Sequence, residues 1–197
     1  MLRSFNGLPS DYSGHLNLLV NNGNPFIFSR NIALLLILGN VSDETIAADM
    51  ALHFWYSAFL PSEYRVHLSV VLAAFLQKAK GSVSPIPLGP RSTISTLLSK
   101  EVASYLLHFV SHSLSVSDIQ NEYDRVRTAP SRRDYQDRMY ASLKPSHRVA
   151  FQEFRRFGIV LPFGAPNAHF NRPNLSLFSP DGKWLQTDHA DPLESWE

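Results

Sequence analysis

A chain of 197 residues has room for one domain, and its 44% hydrophobic and 12% aromatic residues are enough to build a sizeable core. Its net charge of +1, from 18 basic and 17 acidic side chains, sets up no global field toward nucleic acid or anionic lipid. With no Cys there are no disulfides or thiolate metal sites, and no apolar run exceeds the seven residues of Ile32 to Leu38, where a spanning helix needs about 20.

Residues 2–6 read as the tail of a helix, with Gly7 at its C′ position and Pro9 after it. The stretch is too short and polar for a signal peptide, so the expected compartment is the cytoplasm or nucleus. Leu16 to Val20 read as a strand over 15–21, apolar on both faces as an interior parallel strand is. Asn21-Asn22-Gly23-Asn24-Pro25 forms a turn, and a long apolar helix runs on to Gly39. Strand, turn and helix in that order are half of a βαβ unit. In nucleotide-binding folds an acidic residue at this strand end grips a ribose hydroxyl. Here the position holds Asn21 and Asn22, and no Gly-rich phosphate loop precedes it. An unpaired strand of this kind invites a dimer, aggregation, or cover by a later strand at 159–163.

Ser42 or Asp43 caps a second helix from about Glu44 to Leu60, apolar nearly all round, and a short connection makes the two an antiparallel hairpin. Pro61-Ser62-Glu63 restarts a helix to about Lys80. Residues 81–91, with three Pro and two Gly, read as a loop. Helices are expected from about Thr93 to His112, from Ser115 or Ser117 to Arg127, from Pro130, and from Pro145 to Gly158. The character then changes. Ile159 to Phe163 reads as a strand, and Leu175 to Gln186 as a C-terminal hairpin with Asp181-Gly182 at its turn.

Several constellations could carry chemistry. His108 and His112 are i and i+4 on one helix, a spacing that can serve a metal. No third ligand stands nearby, so two polar helix positions are the better reading and no metal is expected. Between Asn121 and Arg156 lie nine of the eighteen basic residues, interspersed with five acids and three tyrosines. Mixed signs fit a solvated helical surface better than a nucleic-acid face. The loop from Phe163 to Asn174 is stiff and aromatic, as binding loops often are. No nucleophile-elbow pattern occurs.

Asp49 and His53 interrupt the most apolar helix, and Arg30 interrupts the one before it. Counted outward from the hairpin turn near residue 41, Arg30 falls opposite about position 52. A buried guanidinium needs a carboxylate, so Arg30, Asp49 and His53 are expected to form a structural polar cluster, Arg30 paired with Asp49. An acid–base pair is the functional rival.

Certain stretches resemble a known family. They are Asn24-Pro25, Ser29-Arg30-Asn31-Ile32, Ala48 through Tyr56, Asn174 with Leu177-Phe178, and Gly182, Trp184 and Asp191 through Trp196. The chain resembles a fungal domain family of unknown function, often found beside MYND-type zinc fingers. A related domain forms the N-terminal part of dynein axonemal assembly factor three. The resemblance implies a Rossmann-type, methyltransferase-like sheet with added helices. Members carry a strand and a Gly-Asp-Leu-Arg-like turn before the position of Met1, and Asn-Asp where this chain has Asn21-Asn22.

The expectation is an α/β, mostly helical chain, 1–197 as a single domain, with a partial methyltransferase-like sheet and a C-terminal hairpin. It reads as a piece of a larger domain of that kind. The leading function is a non-catalytic protein-interaction or assembly module with no cofactor and an unidentified protein partner. Self-association is left open. Neither nucleic acid nor membrane is expected as a partner. The alternative is an S-adenosylmethionine-dependent methyltransferase completed by upstream sequence, in which Asn22 touches the ribose and Asn24 lines the pocket. Fold alone does not decide between them.

Overall fold

The structure is a computed structural model and describes residues 7–79, 84–89, 92–111, 113–127, 129–162 and 164–185. It is mostly helical. Helix α1 spans Pro25–Asn40 and begins where Asn24 Oδ1 accepts from the Phe26 and Ile27 amides, at 2.9 and 3.2 Å, with Pro25 pre-set for the first turn. Helix α2, Glu44–Tyr56, is capped by Asp43, which accepts from Thr45 and Ile46. Strand β1, Phe59–Pro61, leads into α3, Ser62–Lys78. The short strands β2 (Ile86–Pro87) and β3 (Thr93–Ile94) pair with each other, and α4 spans Lys100–His108. Helices α5 (Val116–Arg127), α6 (Arg133–Ser142) and α7 (Pro145–Phe157) follow, and β4 is Phe170–Pro173.

Two apolar clusters hold these elements. The larger joins α1, α2, α3 and α4 around Phe26, Leu36, Met50, Phe54, Leu72 and Phe109. Phe109 meets the edges of Phe26 and Phe54, with centroids 5.3 and 6.2 Å apart. Each such ring, once buried, contributes about 1.5–3 kcal/mol. The smaller cluster gathers Ala58, Ile119, Tyr123, Ile159, Phe170 and Phe178 from β1, α5, β4 and the segments after α7 and β4. Strands β1 and β4 pair antiparallel between the two, Phe59 opposite Pro173 and Leu60 opposite Arg172.

Several expectations are corrected. Residues 15–21 are not a strand. They form an irregular segment in which Leu16, Leu18 and Leu19 are exposed by 41%, 40% and 94%. A strand exists only through its ladder, and no described residue offers this one a partner. The sheets among the described residues are two antiparallel pairs, so the parallel sheet implied by a βαβ unit is not among them.

The second helix stops at Tyr56, short of Leu60. Pro61 disfavours helix in the residue before it, and that residue joins β1 instead. The fourth helix starts only at Lys100, capped by Ser99, whose Oγ accepts from the Val102 amide at 3.1 Å. Thr93-Ile94, rich in β-branching, pair as a strand, and the loop expected at 81–91 contains that strand's partner.

Residues 159–162 are not a strand and do not cover 15–21. The Gly158 carbonyl accepts from the Ala58 amide at 2.6 Å, and the Val160 amide donates to Ser57 Oγ at 3.1 Å. The C-terminal hairpin forms around one antiparallel bridge, Phe178 with Trp184, with Gly182 at φ +84 in its turn. Its first arm is a 3-10 turn, Leu175–Leu177. The helix tail at residues 2–6, His112, and the Asp191 to Trp196 stretch lie outside the described residues.

Candidate functional site: the polar seam at the end of helix α2

The C-terminal carbonyls of a helix have no partner within it, and a buried helix end must find donors elsewhere. Helix α2 ends in the interior, between the two apolar clusters. Asn174, 1% exposed, supplies the donors. Its Nδ2 donates to the carbonyls of Phe54 and Ser57 at 2.8 and 2.7 Å, with a longer contact of 3.3 Å to His53. Its backbone amide donates to the Ala58 carbonyl at 2.9 Å. Its Oδ1 accepts from the Ser176 amide at 3.2 Å and lies 2.8 Å from the Ser176 hydroxyl, which also reaches the Phe54 carbonyl at 3.2 Å. One side chain thus closes a helix end and holds the turn that follows β4.

Arg30 caps the same helix end from α1. It is buried at 7% exposure, donates from a terminal nitrogen to the Trp55 carbonyl at 2.8 Å, and lies over the Trp55 ring with 4.3 Å to the centroid. Its Nε has no hydrogen-bond partner among the described residues. Burial pulls the guanidinium down to about 10, with the nearby Tyr56 opposing, so it stays charged at neutral pH. Arg30 makes no ion pair with Asp49: the helix-end carbonyl and the indole face take the place of the expected carboxylate.

The structure does bring Asp49 and His53 together. His53 Nε2 is 3.6 Å from Asp49 Oδ1, and Nδ1 is 2.9 Å from Ser57 Oγ. Ser57 Oγ accepts from the Val160 amide, so its proton is free for His53 Nδ1. That arrangement fits a neutral ring whose N–H is on Nε2 toward Asp49. Burial holds His53 below its ordinary value; Asp49 pulls it up and His169 pushes it further down. Phe170 packs edge-on against the ring at 4.7 Å. At the outer end the Tyr64 hydroxyl donates a short bond to Asp49 Oδ2, and burial together with this bond raises Tyr64 above its ordinary value.

Asp49, His53 and Ser57 in a line are the residue types of a hydrolase triad. The chemistry needs an accessible nucleophile. Ser57 is fully buried, and its oxygen is already bonded to the Val160 amide. The line is a row of satisfied polar contacts, and only its Asp49–Tyr64 end meets solvent.

Asn22 and Asn24 serve helix α1. Asn22 Oδ1 accepts from the Asn24 amide at 2.9 Å, and Asn24 is the helix cap.

His108 is buried and donates from Nε2 to the Phe178 carbonyl at 3.0 Å, tying α4 to the hairpin. Its pKa is lowered, chiefly by burial. Among the described residues no group of three or more His, Asp or Glu could hold a metal ion.

The basic stretch is largely consumed by helix ends and ion pairs. Arg148 donates to the Leu143 and Ala141 carbonyls at 2.9 and 2.8 Å, closing α6. Arg155 donates to the Arg127 carbonyl at 2.6 Å, and Arg127 returns a short bond to the Arg155 carbonyl, so α5 and α7 close each other. Arg125 pairs with Glu122, and Arg138 with Asp134. Outside this stretch, buried Arg65 reaches the carbonyls of Val110 and Ser111 beyond α4 and of Pro173 in β4. A small cavity beside α7, lined by Phe157, Ile159, Leu161 and Asn167, has a volume of ≈ 20 Å³, about the space of one water.

Asn174 and Ser57 carry the seam, and sequence reasoning passed over both as seam residues. The signal available was Asn174-Leu175-Ser176, the pattern of an Asn side chain accepting two residues on.

No described helix is long and apolar enough to cross a membrane. Neither the curated proteins nor the solved structures include a match to this chain. Residues 1–60 match the model of a family described as a domain of unknown function (DUF4470), so the exposed N-terminal segment and the α1–α2 hairpin are the part of the chain that is similar to it.

Proposed function

We propose that this chain is a non-catalytic protein-interaction module, one domain over 1–197, that presents the segment 16–20 to a protein partner. The observation that carries the reading is Leu16-Asn17-Leu18-Leu19-Val20 itself. Three of its leucines are exposed, and its backbone amides and carbonyls make no hydrogen bond among the described residues. Apolar side chains on a backbone with free donors and acceptors are what strand addition to a partner's sheet edge uses: the main chain supplies affinity and the side chains select. The seam at α2 fits the same reading, because apart from Arg30 Nε its buried polar groups are bonded to one another or to backbone groups of the fold. In this reading the chain works without a cofactor. In it Asn22 and Asn24 hold the start of helix α1, and the methyltransferase alternative, in which they meet a nucleoside, is the rival outcome of the test.

The test is a double substitution, Leu18→Asp with Leu19→Asp, in the full chain. Proteins that co-purify with the parent in its own cells should be lost, while the melting temperature stays within about 2 °C, because the leucines are exposed. An unchanged set of partners would overturn the proposal. Micromolar binding of S-adenosylmethionine in titration calorimetry would restore the alternative.

A further inference from the structure

Helix α3 carries a second, largely apolar face that stays exposed among the described residues. Its inner face is Arg65, Leu68, Leu72 and Phe75, all buried. At 3.6 residues per turn, positions 66, 70, 73 and 77 lie on the opposite side. They are Val66, Val70, Ala73 and Gln77, and all are exposed, the two valines by 59% and 63%. Spacings of four, three and four are those of a helix-pairing seam. The exposed residues along this side also include His67 and Ala74, and no Lys, Arg, Asp or Glu stands among them until the ends. Glu63 marks one end and Lys78 the other.

That distribution selects the occupant. We infer that α3 pairs with the α3 of a second copy of this chain, antiparallel, about a two-fold axis near Val70. Laid antiparallel, Val66 of each copy faces the alanines at 73 and 74 of the other, so a branched side chain meets a small one. Glu63 of each copy comes beside the partner's Lys78, and the helix dipoles oppose. A parallel pair would set Glu63 against Glu63 and Lys78 against Lys78. The contact is isologous and closes at two copies. A face 17 residues long is about 25 Å by roughly 10 Å, well under the roughly 800 Å² per partner of a standard interface, so a weak dimer is expected, with a dissociation constant on the order of 10–100 µM. This pairing goes beyond the partner surface at 16–20 and does not depend on it.

Sedimentation or light scattering of the full chain from about 5 to 200 µM reads the outcome, a range that brackets the expected constant. The mass should rise from 22.2 kDa toward twice that value. Val70→Glu, exposed and therefore compatible with folding, should stay monomeric with an unchanged circular dichroism spectrum. Glu63→Lys should weaken the dimer at least several-fold, and Glu63→Lys with Lys78→Glu should restore it. The Leu18→Asp, Leu19→Asp double variant should still dimerise. A monomer throughout, a dimer indifferent to Val70→Glu, or no rescue by the charge exchange would each overturn the inference. Loss of the dimer in the Leu18, Leu19 variant alone would overturn it too, and would assign self-association to the N-terminal segment.

Discussion

Asn174 and Phe54 stand 120 residues apart, and the amide nitrogen of one donates to the backbone carbonyl of the other at 2.8 Å inside the protein. The bond matters because of where Phe54 sits, in the last turn of a helix that ends away from water. Asn174→Ala strands the Phe54 and Ser57 carbonyls and opens a small cavity. The expected loss is about 2–4 kcal/mol. In a chain of this size that is a fall of roughly 5–15 °C in melting temperature. Asn174→Asp, which offers the carbonyls no donor, should be at least as harmful. A melt within about 2 °C of the parent would contradict the assignment, being less than about 1 kcal/mol.

Arg30 and Asp49 should respond to mutation independently. The sequence alone led to a buried pair whose breaking costs about 3–5 kcal/mol. In the structure Asp49 is 49% exposed and bonded to Tyr64 and His53, so Asp49→Ala should cost only about 1 kcal/mol. Arg30→Ala removes a donor from the buried Trp55 carbonyl and a cation from its ring, with about 2–4 kcal/mol expected. Chemical denaturation of the two single variants and the double variant checks this, and near-additive losses are expected.

Stability should fall with acid in a particular window. Burial lowers the folded-state pKa of His53 and of His108, so below about 6.5 the unfolded chain takes up protons that the folded chain refuses. Stability from these groups is fully present above that value and is lost as the pH falls toward the folded values. His53 faces Asp49, Tyr64 and His169, and protonating it would also put a second N–H against Ser57. Denaturation midpoints from pH 8 to pH 5 should therefore decline from about 6.5 downward. His108→Gln should flatten part of that slope, and a flat profile in the parent would contradict the neutral-ring assignment.

Gly158 closes α7 in the left-handed region, at φ +69. A Cβ there would meet the Ala58 Cβ at 3.0 Å and the Tyr123 ring at 3.1 Å, and neither neighbour can retreat from the second cluster. Gly158→Ala should cost about 1–3 kcal/mol in a thermal melt. Gly164, also at positive φ but with open space around its missing Cβ, should cost less for the same change.

Helix boundaries were legible where a local signal announces them. Pro25 and Pro145 stand in the first turns of α1 and α7, Asp43 caps α2, and Gly158 marks a stop; the cap supplied by Asn24 was not read. These signals act over four residues and need nothing distant. The segment at 15–21 misled because apolar residues on both faces describe a strand only if neighbours exist, and pairing is not local. The end of α2 and the partner of Arg30 were illegible for the same reason. Asn174 arrives from the far end of the chain, and an arginine's carbonyl acceptor leaves no mark on side-chain identity. Reading Arg30 as needing a carboxylate overlooked that the last carbonyls of a helix can take a guanidinium as well.

The most direct measurement places a photo-crosslinking amino acid at position 19 of the full chain in the cells that make it, with the same group at exposed position 131 as reference. The interaction reading expects one or a few discrete protein adducts from position 19 that are absent from position 131. Adducts only within the chain itself, or the same adducts from both positions, would contradict it.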